Sequence, residues 1–207
     1  MPSSTGTSAC GSCIQVLLGK TQRVVAALTP PVLDVHASFL AAMAEFHAEG
    51  RGSADDHTMI GDEIRGFSDS WSTPEGFARY VREMRGQASE NWPRPDGYVP
   101  CTTLWWVDGT RYLGRIAIRH RLTPRLRITG GHIGYDVRPS ARRRGHATAM
   151  LARALPVAHA LSINPALLTC DPTNLGSRAI IERAGGILQN CGNGQLRFWL
   201  PTNPAGP

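Results

Sequence analysis

The segment that most constrains this chain runs from His132 to Leu155. His132 to Val137 reads as a strand, Pro139-Ser140 turns the chain, and a helix follows over about 142–160. The turn itself reads Arg142-Arg143-Arg144-Gly145-His146-Ala147. A helix start presents backbone N–H groups with no helical partner, and the helix dipole adds positive potential there. Gly145 and Ala147 keep the approach to that backbone open, and three consecutive arginines add donors. Such a strand–turn–helix forms an anion site sized for a pyrophosphate.

The rest of the pattern surrounds this segment. Arg23 to Leu28 is β-prone, and a helix over 31–49 carries Val32, Val35, Phe39, Leu40, Met43 and Phe46 at three- and four-residue steps. Residues 50–72, rich in Gly, Ser and Asp, read as a loop. Thr73-Pro74-Glu75 begins a second helix. Cys101 to Val107 and Tyr112 to Ile118 flank Asp108-Gly109 as a hairpin, and a basic loop follows to Gly130-Gly131. Beyond the central helix come a strand at Ala166 to Cys170, a helix capped by Thr173 or Asn174 and ended by Gly185-Gly186, and a closing hairpin around Gly192-Asn193-Gly194. This order specifies a mixed sheet with helices on its faces in one domain over 23–200, with tails at 1–22 and 201–207.

Val137-x-Pro-x-x-Arg142-x-x-Gly145-x-Ala147 resembles the cofactor signature of the GNAT superfamily of acetyl-CoA-dependent N-acetyltransferases. The core from Arg115 to Gly186 is similar to one branch of predicted acetyltransferases, through Ile-Arg-His-Arg-Leu at 118–122, Gly-Gly-His-Ile-Gly-Tyr at 130–135 and Leu-Leu-Thr-Cys-Asp at 167–171. The resemblance implies an α/β fold of α+β type. Its sheet would be mixed and mostly antiparallel, with six to seven strands splayed at the centre and about four flanking helices. It implies acetyl-CoA as cofactor and CoA as product. The backbone of Arg142, Arg143, Arg144, Gly145, His146, Ala147 and Thr148 would hold the pyrophosphate. The strand end Tyr135, Asp136 and Val137 would pair with the pantetheine arm, and Asn174 and Ser177 would contact it from the next helix. The acetyl thioester would point toward His132, Tyr135 and His120. The family's usual tyrosine acid falls at position 181, which here is Ile181; Tyr135 or solvent is the substitute.

For the base, His132 has an ordinary pKa near 6.5, as general-base work at neutral pH requires. A hydrogen-bonded structural histidine fits the same position. His120 is a second candidate. His146 reads as a surface position within the turn, Asp136 as a group that orients His132 or binds a substrate amine, and Cys170 as a small core residue. Of Trp105 and Trp106, one is expected in the core and the other on a sheet face.

Charge bounds the partners. Lys and Arg number 22 against 16 Asp and Glu, a net +6, yet a basic cofactor pocket explains that excess without nucleic acid. No apolar run approaches the roughly 20 residues of a membrane helix, and the start lacks a secretion signal, so the expectation is a cytoplasmic protein without membrane attachment, monomeric or homodimeric. Five cysteines argue for reduced thiols, no metal site is expected, and Cys10-x-x-Cys13 reads as tail. Glu45, Glu49, Asp55, Asp56, Asp62, Glu63 and Asp69 make 31–91 acidic, which suits a cationic small-molecule amine as acceptor. A protein or peptide acceptor and a catalytically silent CoA-binding module are the alternatives.

Overall fold

Strand pairing divides the molecule into two sheets. A computed structural model of the chain describes residues 26–203. The first sheet has the order β1 (Ala27–Thr29), β2 (Cys101–Asp108), β3 (Arg111–Arg119), β4 (Ile133–Val137), and the second has β5 (Ala166–Cys170), β7 (Gln195–Leu200), β6 (Ile187–Gly192). All pairings within each sheet are antiparallel. The β2–β3 hairpin turns at Gly109 with φ +59°, as Asp-Gly predicts. The two sheets approach each other where β4 and β5 begin.

Alternation along the strands sends side chains to two cores. Ile116, Ile118, Ile133 and Trp106 pack with Met150, Leu151, Ala154 and Ala158 of α5 (His146–Ala160) and with Ile181 of α6 (Leu175–Arg183). On the other face Trp105 and Tyr112 pack with α1 (His36–Ala48), α2 (Met59–Trp71) and α3 (Pro74–Gly86). Phe39 sits at the centre of that second core, its ring 5.0–5.5 Å from those of Trp71, Phe77, Tyr80, Trp105 and Tyr112. Such pairs each add about 0.5–1.5 kcal/mol beyond their buried area. Trp105 and Trp106 are therefore both buried, in opposite cores.

Three expectations change. Residues 50–72 are not all loop, since α2 occupies Met59–Trp71. Thr58 caps it by accepting from the Gly61 amide at 3.2 Å, and Ile60, Ile64, Phe67 and Trp71 form its apolar stripe. Gly61, Gly66 and interspersed Ser and Asp dilute that stripe in the sequence. The basic loop contains a short helix, α4 (Pro124–Ile128), capped by Thr123. Residue 202 is not tail: Thr202 is fully buried and donates to the Ile163 carbonyl at 2.6 Å. The expected strand at Arg23 to Leu28 appears as β1, and its first part, the 1–22 tail and Cys10/Cys13 lie outside the described residues.

One ion pair is built into the second core. Arg115 of β3, 3% exposed, contacts Glu63 of α2, whose other bond comes from the Tyr80 hydroxyl at 2.6 Å. Burial alone pulls the Arg115 pKa down, but Glu63 together with Tyr80 and Tyr112 more than offsets it and the net shift is upward. Removing one partner of a buried pair strands the other charge, at about 3–5 kcal/mol. Glu63→Leu should lower unfolding stability by about that amount, and Glu63→Leu with Arg115→Met should recover most of it. Urea midpoints measure both. A single replacement costing under about 1 kcal/mol contradicts the assignment.

Candidate active site

β4 and β5 meet at one point and then part. The His132 amide donates to the Leu167 carbonyl at 2.7 Å, and the Leu167 amide donates to His132 Nδ1 at 2.9 Å. A Cβ on Gly131 would lie 2.3 Å from the Leu167 carbonyl oxygen, so only glycine admits this approach, and its φ is +60°. Beyond that point no backbone hydrogen bond joins β4 to β5 among the described residues. β4 ends the first sheet and β5 ends the second, so two unpaired strand edges face a widening gap.

The gap opens into a cavity of about 640 Å³. Its floor is the turn before α5, where Arg143 (φ +61°) and Gly145 (φ +80°) are both left-handed. The amides of Arg143 through Thr148 have no backbone acceptor, since the first bond of α5 runs from Ala149 N–H to the Gly145 carbonyl. A Cβ built on Gly145 meets nothing within 4 Å, so the space above it is open. These are the elements of an anion cradle: consecutive free amides, a helix start and surrounding cations.

α1 holds the turn in place. Glu45 accepts from Arg138 Nε at 2.8 Å, from the Ser140 amide at 2.9 Å and from the Ser140 hydroxyl at 3.0 Å. One helical turn on, Glu49 takes both terminal nitrogens of Arg142 at 2.7 and 2.8 Å, while Arg142 Nε donates to the Val137 carbonyl at 3.1 Å. The Arg142 side chain is thus a brace, and its amide is also committed, donating to the Pro139 carbonyl at 3.2 Å.

Of the expected cofactor residues, Tyr135, Asp136, Val137, Arg142, Arg143, Gly145, His146, Ala147, Thr148, Asn174 and Ser177 all line this cavity, and Arg144 does not. Asn174 Oδ1 caps α6 by accepting from the Ser177 amide at 3.0 Å, which leaves its NH₂ group for a ligand. Sequence reading missed Arg51, Gly176, Ile180 and Arg183, which also line it. Gly176, Ile180 and Arg183 fall at helical steps on the face of α6 that Ser177 marks, so that periodicity held a usable signal. Arg51 follows α1 in the unpatterned stretch and carried none.

The candidate catalytic groups separate. Tyr135 points between β4 and α6; its hydroxyl is buried without a hydrogen-bond partner. Burial raises its pKa to about 12, with a small opposing effect from Ser177. It therefore stays protonated at neutral pH and is suited to donate a proton. Asp136 alternates to the α1 side, and burial raises its carboxyl above the usual range against the opposing pull of Arg115 and Arg51. His132 lines neither cavity, its Nδ1 accepts from the Leu167 amide, and burial with Arg127 and Arg119 lowers its pKa to about 4. Its position is that of a fastener at the strand junction. His120 also lies outside both cavities and is bonded through Nε2 to the Thr102 hydroxyl at 2.8 Å. His146 is more than a surface position, since the Trp106 indole donates to its Nδ1 at 3.1 Å and fixes the ring beside the cradle.

A second cavity of about 490 Å³ lies on the α2–α3 face of the first sheet. Met59, Glu63 and Phe67 of α2, Cys101 and Thr103 of β2, Arg115 and Arg119 of β3, the 93–99 segment, and Arg125 and Gly130 near the strand junction form its walls. Acidic residues reach this cavity at Asp62, Glu63 and Glu83, each already engaged by a donor. Glu45 and Glu49 brace the anion turn, Asp56 is bound by the Gly52 and Thr58 amides, Asp62 by Arg65 and Glu63 by Arg115. Asp55 and Asp69 are exposed and line neither cavity.

The histidine assignment has a direct reading. A His132 pKa near 4 is depressed below its unfolded value of about 6.5, so its contribution to stability is present above pH 6.5 and lost as pH falls toward 4. In a pH titration followed by NMR, the His132 ring resonances should stay flat between about pH 5.5 and 8. A midpoint near 7 contradicts its role as a neutral fastener and restores it as a base.

Comparison with known proteins places this geometry. No curated protein sequence matches the chain. Residues 53–187 match the family model described as acetyltransferase (GNAT) domain. The fold is similar to Mycobacterium smegmatis RimJ in complex with CoA-disulfide, with a TM-score of 0.59, 17% identity and coverage of 86% of this chain and 82% of that one. It is also similar to the microcin C7 self-immunity acetyltransferase MccE in complex with acetyl-CoA and AMP (TM-score 0.55, 13% identity, coverage 85% and 92%). A third similar structure is the PaiA N-acetyltransferase of Thermoplasma acidophilum in complex with coenzyme A (TM-score 0.53, 10% identity, coverage 86% and 99%). The open strand junction, the free amides and the family match agree, and the chain belongs to the GNAT family of acetyltransferases.

Proposed function

We propose that this enzyme transfers an acetyl group from acetyl-CoA to the primary amine of a small molecule, by direct attack in a ternary complex. The observation that carries the reading is the single cavity where the free amides of Arg143 to Thr148 meet the unpaired edge of β4. The amides would hold the pyrophosphate, Arg143 and Arg183 would add charge beside it, and the backbone of Tyr135 and Val137 would hold the pantetheine arm. When bound, acetyl-CoA supplies a thioester carbonyl open to attack by an amine.

Tyr135 and Asp136 divide the proton transfers because neighbouring strand residues face opposite ways. Asp136, on the α1 side with its carboxyl pKa raised, takes a proton from the attacking amine. Tyr135, on the α6 side and protonated, gives one to the departing thiolate. This fills the place left by Ile181, which is buried in the core.

The second cavity, walled by α2, α3 and the 93–99 segment, has a volume of about 490 Å³, which suits a small acceptor. A protein or peptide acceptor is the second reading, favoured by likeness to the ribosomal-protein-S5-alanine acetyltransferase of Vibrio fischeri (TM-score 0.53, 12% identity). Release of CoA thiol in the presence of free amines, against N-terminal peptides, separates the two.

Two variants test the site. Gly145→Leu would fill the open space above the turn, at a backbone strain of about 1–3 kcal/mol because its φ is +80°, so it should abolish CoA binding in calorimetry while circular dichroism still shows a folded chain. Normal CoA affinity in the folded variant contradicts the pyrophosphate placement. Tyr135→Phe should lower kcat by about 10²-fold with KM for acetyl-CoA little changed, and Asp136→Asn should lower it similarly. Rates within about twofold of the parent remove both groups from the chemistry.

A further inference from the structure

The second cavity holds more cation than carboxylate to meet it. Every carboxylate at its walls already has a donor: Glu63 has Arg115 and Tyr80, Asp62 has Arg65, and Glu83 receives the Trp92 indole at 3.1 Å and the Gln87 amide at 3.3 Å. Arg119 is different. One of its terminal nitrogens donates to the Gly130 and Gly131 carbonyls at 3.0 and 3.2 Å. Its other nitrogens bond to nothing, and it forms no ion pair among the described residues. Arg125 beside it on α4 likewise has no carboxylate among the described residues. Burial lowers the Arg119 pKa, Cys101 opposes that shift, and the nearby Arg115 and Arg125 add to it, so an anion placed between Arg119 and Arg125 would favour both charges.

Resting on the transferase reading above, we infer that the acceptor is an amine that carries a carboxylate, seated on Arg119 and Arg125 in this cavity. The fork of a guanidinium with nitrogens to spare matches a carboxylate in shape and charge, and the Thr103 and Thr123 residues nearby add polar lining. The seat also fixes the direction of the amine. The Arg119 amide bonds to the His132 carbonyl at 2.7 Å, so the carboxylate sits beside the start of β4. Asp136 lies further along β4, opposite Arg115 in the strand register and so on the same side of the sheet, and the amine end of the acceptor would have to reach past Gly134 and Met59 toward it. The acceptor is therefore an amino acid-like molecule and not a polyamine, reversing the expectation drawn from the acidic composition of 31–91.

The test uses the full chain saturated with CoA, titrated in a calorimeter with amino acids and with the matching amino acid amides. Turnover of the same compounds with acetyl-CoA is measured alongside. The acids should bind and turn over about tenfold or more better than their amides, the scale of one charge-assisted pair. Arg125 is exposed and its replacement leaves the fold intact, so Arg125→Gln should cut the acid-over-amide preference severalfold with CoA affinity unchanged. Amides or polyamines bound as well as acids overturn the inference, as does a preference untouched by Arg125→Gln. Turnover that ignores the carboxylate leaves the transferase reading standing and sinks this one. Acid-selective binding without turnover of any amine does the reverse.

Discussion

The junction between β4 and β5 is the constraint on which the rest of the molecule depends. Two sheets that joined along their full length would leave no gap, and two that never touched would leave no fixed one. The backbone bond from His132 to Leu167, the return bond to the His132 ring and the side-chain-free Gly131 fasten the strands at their first residues. Everything beyond is left open. The free edge of β4, of a kind that sheets normally cover, is left beside the cavity.

Opposite the junction, the chain positions its anion turn with charge pairs that a glance at composition misassigns. Glu45 and Glu49 lie one helical turn apart on α1, and each engages an arginine of the turn. Exposed pairs of this kind add little stability individually. Their effect is positional, since they orient backbone amides that have no partner of their own. The arginine-rich sequence thus serves two purposes: Arg138 and Arg142 brace, while Arg143 and the distant Arg51 and Arg183 remain beside the cavity.

The cofactor half of the site was legible because it depends on local sequence. A strand, a turn with Gly145 and a helix start are contiguous, and the structure returns eleven of the twelve expected residues to one cavity. The catalytic half was harder, because it depends on which way side chains point across the sheet. His132 has the right intrinsic pKa for a base, but its ring nitrogen meets a backbone amide 35 residues away, which no local pattern records. The α2 helix was missed because Gly61 and Gly66 and the serines between apolar positions mimic a loop, and only the packing of Ile60, Ile64 and Trp71 against Phe39 and Trp105 decides for helix. The acidic stretch misled for the same reason: a count of carboxylates carries no information about their partners.

The central claim is that the amides preceding α5 grip a pyrophosphate at the mouth of the strand gap. Hydrogen exchange of those amides, with and without CoA, tests it directly. Protection should rise at Arg143 to Thr148 and at Tyr135 and Val137, and little elsewhere. Unchanged exchange at Arg143 to Thr148 under saturating CoA, with protection appearing at another helix start, would contradict the account.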